Sequence, residues 1–118
     1  MAERAAGTGP STALLTDRYE LTMLDASLRS GVASHRSVFE VFARRLPGSR
    51  PYGVVAGTAR VLEAIEDFRF DDDVMAALDA QSVLSERGMN WLRDFRFSGD
   101  IYGYAEGELH FAGSPVFT

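Results

Sequence analysis

The run Thr16-Asp17-Arg18-Tyr19-Glu20-Leu21-Thr22-Met23 concentrates the residue types that could do chemistry here. The Thr16 hydroxyl is suited to cap a helix by accepting from a free first-turn N–H. Asp17 then falls at the positive end of the helix dipole. Tyr19, Met23 and Ala26 recur at i, i+4 and i+7, which places them on one stripe. Leu21, Leu24 and Leu28 form a second stripe, the better candidate for core. A helix needs only one apolar face to fold, so the first stripe is available for another use. Two readings of Tyr19 stay open at this point. It is a half-buried packing ring, or a flat ring offered to a flat ligand beside helix N–H groups that favour an anion.

The remaining chemistry is narrow. All twelve basic residues are Arg, so there is no Lys for a Schiff base or a phosphate loop, only guanidinium forks that suit phosphate and carboxylate. There is no Cys, hence no disulfide, thiolate nucleophile or Cys-based zinc site. His35 and His110 lie far apart, outside any metal-ligand spacing. The net charge of −5 argues against a general nucleic-acid binder. Asp71-Asp72-Asp73 lacks the glycine turn and distal Glu of a calcium loop and reads as a helix cap. The echo Asp67-Phe68-Arg69-Phe70 and Asp94-Phe95-Arg96-Phe97 could stack single strands, but its place at helix ends favours packing.

The elements that must position these residues follow from pattern. The first helix is expected over about 17–30, stopped by Gly31. Residues 36–44 read as an interior strand, because Val38, Phe39, Val41 and Phe42 put apolar groups on both faces. Glu40 within it reads as an exposed strand position; buried, it would need an Arg partner. A loop over 46–51 leads to a short strand at 52–56, and Gly57 turns it into a helix with Val61, Ile65 and Phe68 on one stripe. Asp71 caps the next helix. Ser85 opens another, with Leu84 and Met89 placed as a hydrophobic staple. Residues 101–105 are expected to pair with 108–111 across a Glu106-Gly107 turn, with His110 facing solvent. The first ten residues lack the apolar centre of a signal peptide, and residues 1–13 read as a disordered leader on a cytoplasmic protein. The apolar ending at 114–118 reads as a cut inside a larger fold.

Several of these stretches, in order, resemble the nicotinate phosphoribosyltransferases. The opening Leu14-Leu15-Thr16-Asp17-Arg18-Tyr19-Glu20-Leu21-Thr22-Met23 is similar to the family's first motif. Val38-Phe39-Glu40-Val41-Phe42-Ala43-Arg44-Arg45-Leu46-Pro47 resembles its first-strand motif, and Tyr52-Gly53-Val54-Val55-Ala56-Gly57 its second strand and turn. Residues 91–102 resemble the following helix-to-strand passage, and Glu106-Gly107-Glu108-Leu109 the hairpin after it. The likeness covers 14–118.

The resemblance implies an α+β chain: an N-terminal α/β domain of the nicotinate/quinolinate phosphoribosyltransferase type, its helices packed on a small mixed sheet. The catalytic α/β barrel is expected outside this chain. It implies conversion of nicotinate and phosphoribosyl pyrophosphate to nicotinate mononucleotide and pyrophosphate, a step of NAD salvage. ATP hydrolysis through a phosphorylated His, with magnesium, would drive it, and neither His35 nor His110 matches that residue's context. It further implies that Tyr19 stacks on the pyridine ring, Asp17 supports it, and Arg44 or Arg45 meets phosphate. The site would be shared across a homodimer and completed by the chain's own C-terminal barrel. The segment alone is expected to be inactive. A small-ligand or regulatory module that kept this fold without catalysis is the alternative.

Overall fold

The structure is a computed structural model and describes residues 11–118. Its elements are helix α1 (Arg18–Ser30), strands β1 (Val41–Phe42) and β2 (Gly53–Val54), and helices α2 (Thr58–Glu66), α3 (Asp72–Ala80) and α4 (Glu86–Asp94). Strands β3 (Leu109–His110) and β4 (Pro115–Phe117) complete them. The class is α+β, as expected. The chain forms two compact units: one takes residues up to His35 together with Asp67–Phe97, the other Arg36–Glu66 with Ser98–Thr118.

The first unit is helical. Its core is Ala13, Val74, Met75, Leu78 and Leu92, with Leu21 and Leu24 of α1 packed against it. The expectation of helices lying on a sheet is therefore replaced, in this unit, by helix on helix, with α1 and α3 both against α4. Residues 1–10 of the expected leader lie outside the described residues. Its last residues are packed: Ala13 is in the core, and the Ser11 hydroxyl donates to the Arg69 carbonyl at 3.2 Å.

Helix ends follow the sequence signals closely. Gly31 stops α1 at φ 77°, and the Val32 N–H reaches back to the Ser27 carbonyl at 3.0 Å. A left-handed residue at that position is what glycine tolerates best. Asp71 accepts from the Val74 N–H at 2.9 Å and so caps α3, as its acidic run predicts. Ser85 accepts from the Gly88 N–H at 3.3 Å and caps α4. Phe68, Phe70 and Phe95 meet edge-to-face at centroid distances of 5.5, 6.1 and 6.3 Å. Three rings of the Phe-Arg-Phe echo are thus packing groups, and only Phe97 is exposed.

One inward position of α1 is polar. Asp25 is 8 % exposed, on the same side as Leu28. Its carboxylate accepts from the Ser85 hydroxyl at 2.6 Å, the Ser85 N–H at 3.3 Å and the Arg29 guanidinium at 3.2 Å. Ser85 thus donates to α1 while it caps α4. Gly88 is required beside it, because a Cβ there would lie 2.6 Å from Asp25 Oδ1.

The second unit is built from antiparallel strand pairs, not the mixed sheet expected. β1 pairs with β4, Val41 opposite Phe117 and Phe42 opposite Pro115. Residues 102–104 line the other side of β4. Tyr102 and Thr118 exchange two 2.8 Å bonds, and the Tyr104 N–H donates to Val116. β2 pairs with β3, Gly53 opposite His110. The expected hairpin is corrected: Gly107 makes the turn at φ 87°, but its two arms pair with different strands. The interior strand expected over 36–44 is corrected too. Only Val41–Phe42 is strand, and Val38, Phe39, Val41 and Phe42 are all exposed. Nothing among the described residues covers both of its faces. Glu40 is exposed, as expected.

His110 also differs from expectation. It alternates with Leu109 and Phe111, but the faces are inverted: those two are exposed and His110 is half-buried. Its ring lies over Gly53, where a Cβ would fall 2.3 Å from Nε2. Phe117 lies over Gly103 in the same way, 2.5 Å from such a Cβ. In both ladders a ring fills the place of the side chain that a cross-strand glycine lacks.

Loss of the Asp25 carboxylate removes three hydrogen bonds from exposed donors on Ser85 and Arg29, a net cost of about 1 kcal/mol or somewhat more. Asp25→Ala and Gly88→Ala are each expected to lower stability in chemical denaturation. In the double variant the second change should cost less than alone, since the alanine at 25 removes the oxygen that the new Cβ strikes. Full additivity would refute the contact.

Candidate functional site

Helix α1 begins one residue later than its sequence suggests. Asp17, not Thr16, occupies the N-cap position, with φ −80° and ψ 144°. Its carboxylate makes no capping hydrogen bond; the first turn closes through the Glu20 N–H and the Asp17 carbonyl at 3.1 Å. Tyr19 is the second residue of the helix and is 58 % exposed. Its carbonyl accepts from the Thr22 hydroxyl at 3.0 Å, which fixes backbone and leaves the phenol ring outside. Met23, one turn on, is equally exposed. The inward face is taken by Leu21, Leu24, Asp25 and Leu28. Rotation of α1 about its axis thus gives Tyr19 and Met23 to the outside as an apolar strip beside a helix start.

That helix start differs chemically from the other three. Those of α3 and α4 are closed by Asp71 and Ser85. That of α2 is closed from a distance: Glu106 accepts from the Gly57 N–H at 2.6 Å and the Thr58 N–H at 2.9 Å. The Gly57 bond first, then the Thr58 bond, hold the Glu106 carboxyl below its ordinary value. The Gly57 turn therefore carries its own anion. At α1 the N–H groups of Arg18 and Tyr19 have no carbonyl a turn earlier within the helix, and the neighbouring Asp17 carboxylate leaves them to solvent or ligand.

Arg44 and Arg45 are exposed in the bend that follows β1. The Gly113 N–H donates to the Ala43 carbonyl at 2.8 Å and anchors the chain just before them. The four expected site residues therefore fall into two pairs: Asp17 with Tyr19 in the first unit, Arg44 with Arg45 in the second. Among the described residues no group of three His, Cys, Asp or Glu side chains is placed to hold a metal ion, and no helix is long and apolar enough to cross a membrane. Sequence reasoning missed Glu106 and Asp25. Glu106 announced itself only as a turn residue. Asp25 carried a legible signal, a lone acid among inward positions of an amphipathic helix.

Residues 14–118 match the family described as the nicotinate phosphoribosyltransferase N-terminal domain. Nicotinate phosphoribosyltransferase pncB1 of Mycobacterium tuberculosis is 60 % identical over 105 residues, covering 89 % of this chain and 23 % of that protein. The chain belongs to the nicotinate phosphoribosyltransferase N-terminal domain family. The nicotinate phosphoribosyltransferase of Bacillus subtilis is 35 % identical over 106 residues, 90 % of this chain and 22 % of that protein. Nicotinate phosphoribosyltransferase 1 of Arabidopsis thaliana is 29 % identical over 107 residues, 89 % of this chain and 19 % of that protein. The chain thus spans about a quarter or less of the curated relatives it matches.

In this phosphoribosyltransferase domain the Glu106 clamp should be visible as a titration. A carboxyl lowered in the folded state stabilises fully above its unfolded value, and that contribution is lost as pH falls through the lowered folded value. The amide signals of Gly57 and Thr58 should titrate together, with a midpoint below that of an ordinary glutamate. Glu106→Gln should abolish the titration. A midpoint at the ordinary value, or an unchanged titration in the variant, would rule the clamp out in solution.

Proposed function

We propose that this chain is the N-terminal part of a nicotinate phosphoribosyltransferase, an enzyme of NAD salvage that acts in the cytoplasm. The reaction joins nicotinate to phosphoribosyl pyrophosphate and releases nicotinate mononucleotide and pyrophosphate. The observation that carries the reading is the 60 % identity to pncB1 across the whole Tyr19-bearing region. ATP and magnesium belong, in this reading, to the whole enzyme. No step through either is assigned to the residues of this segment.

Within that reaction this segment supplies binding surface. The exposed Tyr19 ring stacks on the flat pyridine of nicotinate, and the start of α1 favours its carboxylate. Asp17 at the N-cap supports the ring's position. Arg44 and Arg45 present guanidinium forks to phosphate groups. The C-terminal barrel of the same enzyme completes the site, and Tyr19 serves the barrel of the other subunit in a homodimer. A two-fold dimer builds both of its sites from both chains.

In the full-length enzyme, Tyr19→Ala should weaken nicotinate binding by about 1–3 kcal/mol, taking base–aromatic stacking as the guide. Tyr19→Phe should cost much less, because the ring carries the interaction. Equal large losses in a direct binding assay would transfer the role to the hydroxyl, and no loss from either would make Tyr19 a bystander.

Sharing of the site gives a separate expected outcome. Co-expression of a Tyr19→Ala subunit with a subunit inactivated in the barrel yields mixed dimers, each with one doubly defective site and one intact site. Free reassortment at equal amounts restores about a quarter of all sites. Activity no higher than the mean of the two parents, with subunit exchange demonstrated, would place Tyr19 in its own subunit's site or outside any site.

A further inference from the structure

Residues 41–62 carry Arg44, Arg45, Arg50 and Arg60 and no Asp or Glu, in a chain whose net charge is −5. Three of those arginines flank one tight reversal of the second unit. Arg44 and Arg45 stand in the bend after β1, and the Arg50 N–H donates to the Pro47 carbonyl at 3.4 Å to close a turn. Gly48 supplies the left-handed residue of that turn at φ 61°. The ends of such a turn lie within about 7 Å, and Arg45 is two steps from its first residue, so the Arg45 and Arg50 Cα atoms are at most about 15 Å apart. Pro47 and Pro51 stiffen the two ends. The residue before a proline is itself restricted, so Arg50 has little backbone freedom left to lose on meeting a ligand. All three arginines are exposed. Among the described residues none of them makes a side-chain hydrogen bond or an ion pair, whereas Arg29, Arg93 and Arg96 each have a partner. Unpaired cations this close along the chain repel one another, and an anion placed among them relieves that repulsion.

We propose that Arg50 is a further phosphate-binding residue, which joins Arg44 and Arg45 around this turn to hold a chain of two or more phosphate groups. The proposal rests on the reading of this chain as part of a nicotinate phosphoribosyltransferase whose Arg44 and Arg45 meet phosphate. A guanidinium fork grips two oxygens of one phosphate group, so one or two forks satisfy a single phosphate. A third fork set across the turn is used fully only when the ligand presents oxygens along its length. A diphosphate or a triphosphate does so, and both occur among the compounds of the proposed reaction, in phosphoribosyl pyrophosphate and in ATP. No local carboxylate competes for the three forks. Glu40 lies on the far side of β1, and two other acids of the second unit are engaged with backbone amides, Glu106 with Gly57 and Thr58 and Glu108 with Ala105.

The test compares Arg50→Ala with Arg44→Ala and Arg45→Ala in the full-length enzyme, by calorimetric binding of inorganic pyrophosphate and of inorganic phosphate and by steady-state kinetics. Arg50→Ala should weaken pyrophosphate binding by about fivefold, the scale of one exposed charged pair, and phosphate binding by much less. The KM for nicotinate and the denaturation midpoint should stay where they were. A rise in the KM for phosphoribosyl pyrophosphate assigns the site to that substrate, and a rise in the KM for ATP assigns it to the triphosphate. Added salt should shrink the difference between wild type and Arg50→Ala, because the contact is between exposed charges. Arg50→Lys keeps the charge without the fork and should fall between the two; it replaces Arg50→Ala if that variant does not fold. Unchanged pyrophosphate binding in Arg50→Ala, or an equal loss for pyrophosphate, phosphate and nicotinate, would overturn the proposal. If that happens while Arg44→Ala or Arg45→Ala still weakens pyrophosphate binding, the reading of the other two arginines stands without Arg50. No effect from any of the three would defeat that reading as well.

Discussion

The buried carboxylate of Asp25 is the constraint on which the first unit turns. Burying an ionised group is costly unless its oxygens are fully used. Here they take the Ser85 hydroxyl, the Ser85 N–H and the Arg29 guanidinium. Those bonds tie the middle of α1 to the first turn of α4 and set the rotation of α1 about its axis. With Asp25 and Leu28 inward, Tyr19 and Met23 have nowhere to go but out. The exposure of the Tyr19 ring is thus a consequence of a polar contact elsewhere on the same helix. Gly88 belongs to the same constraint, since any side chain there would strike Asp25.

The second unit is held by different means. Its ladders are short, and two of their glycines are covered by rings from across the strand, His110 on Gly53 and Phe117 on Gly103. Glu106 links the turn before β3 to the start of α2 through two backbone amides. These are directional contacts that align strands and a helix start without burying much apolar surface. They specify geometry more than they stabilise it, since a net hydrogen bond contributes only about 1 kcal/mol. The contrast with the first unit, which has a packed core, is physical rather than topological.

The four helix starts among the described residues are not closed alike. Three of the four are closed by Glu106, Asp71 and Ser85, while the N-cap carboxylate of α1 makes no capping bond. In the proposed enzyme that leaves one amide end beside Tyr19 for the carboxylate of nicotinate. The arginines of the β1 bend stand on a different unit, anchored by the Gly113 N–H at Ala43. Ring and guanidinium pairs are therefore carried by separate bodies, each fixed by its own local bonds.

What the sequence by itself determined is what rests on neighbours along the chain. The Leu21-Leu24-Leu28 stripe, the stop at Gly31, the caps at Asp71 and Ser85, and the family motif around Tyr19 all depend on spacings of a few residues. Helix periodicity and capping are local, so they were legible; the start of α1 slipped by one residue because Thr16 and Asp17 are both good caps. The tertiary structure alone decided everything that depends on distant partners. The arms of the Glu106-Gly107 turn each look ready for a hairpin, yet β3 pairs with β2 and residues 102–104 pair with β4. His110 alternates as a strand residue must, but which face is buried was set by Gly53, nearly sixty positions earlier. Register and facing in a sheet come from the partner strand, and no pattern within one strand contains its partner.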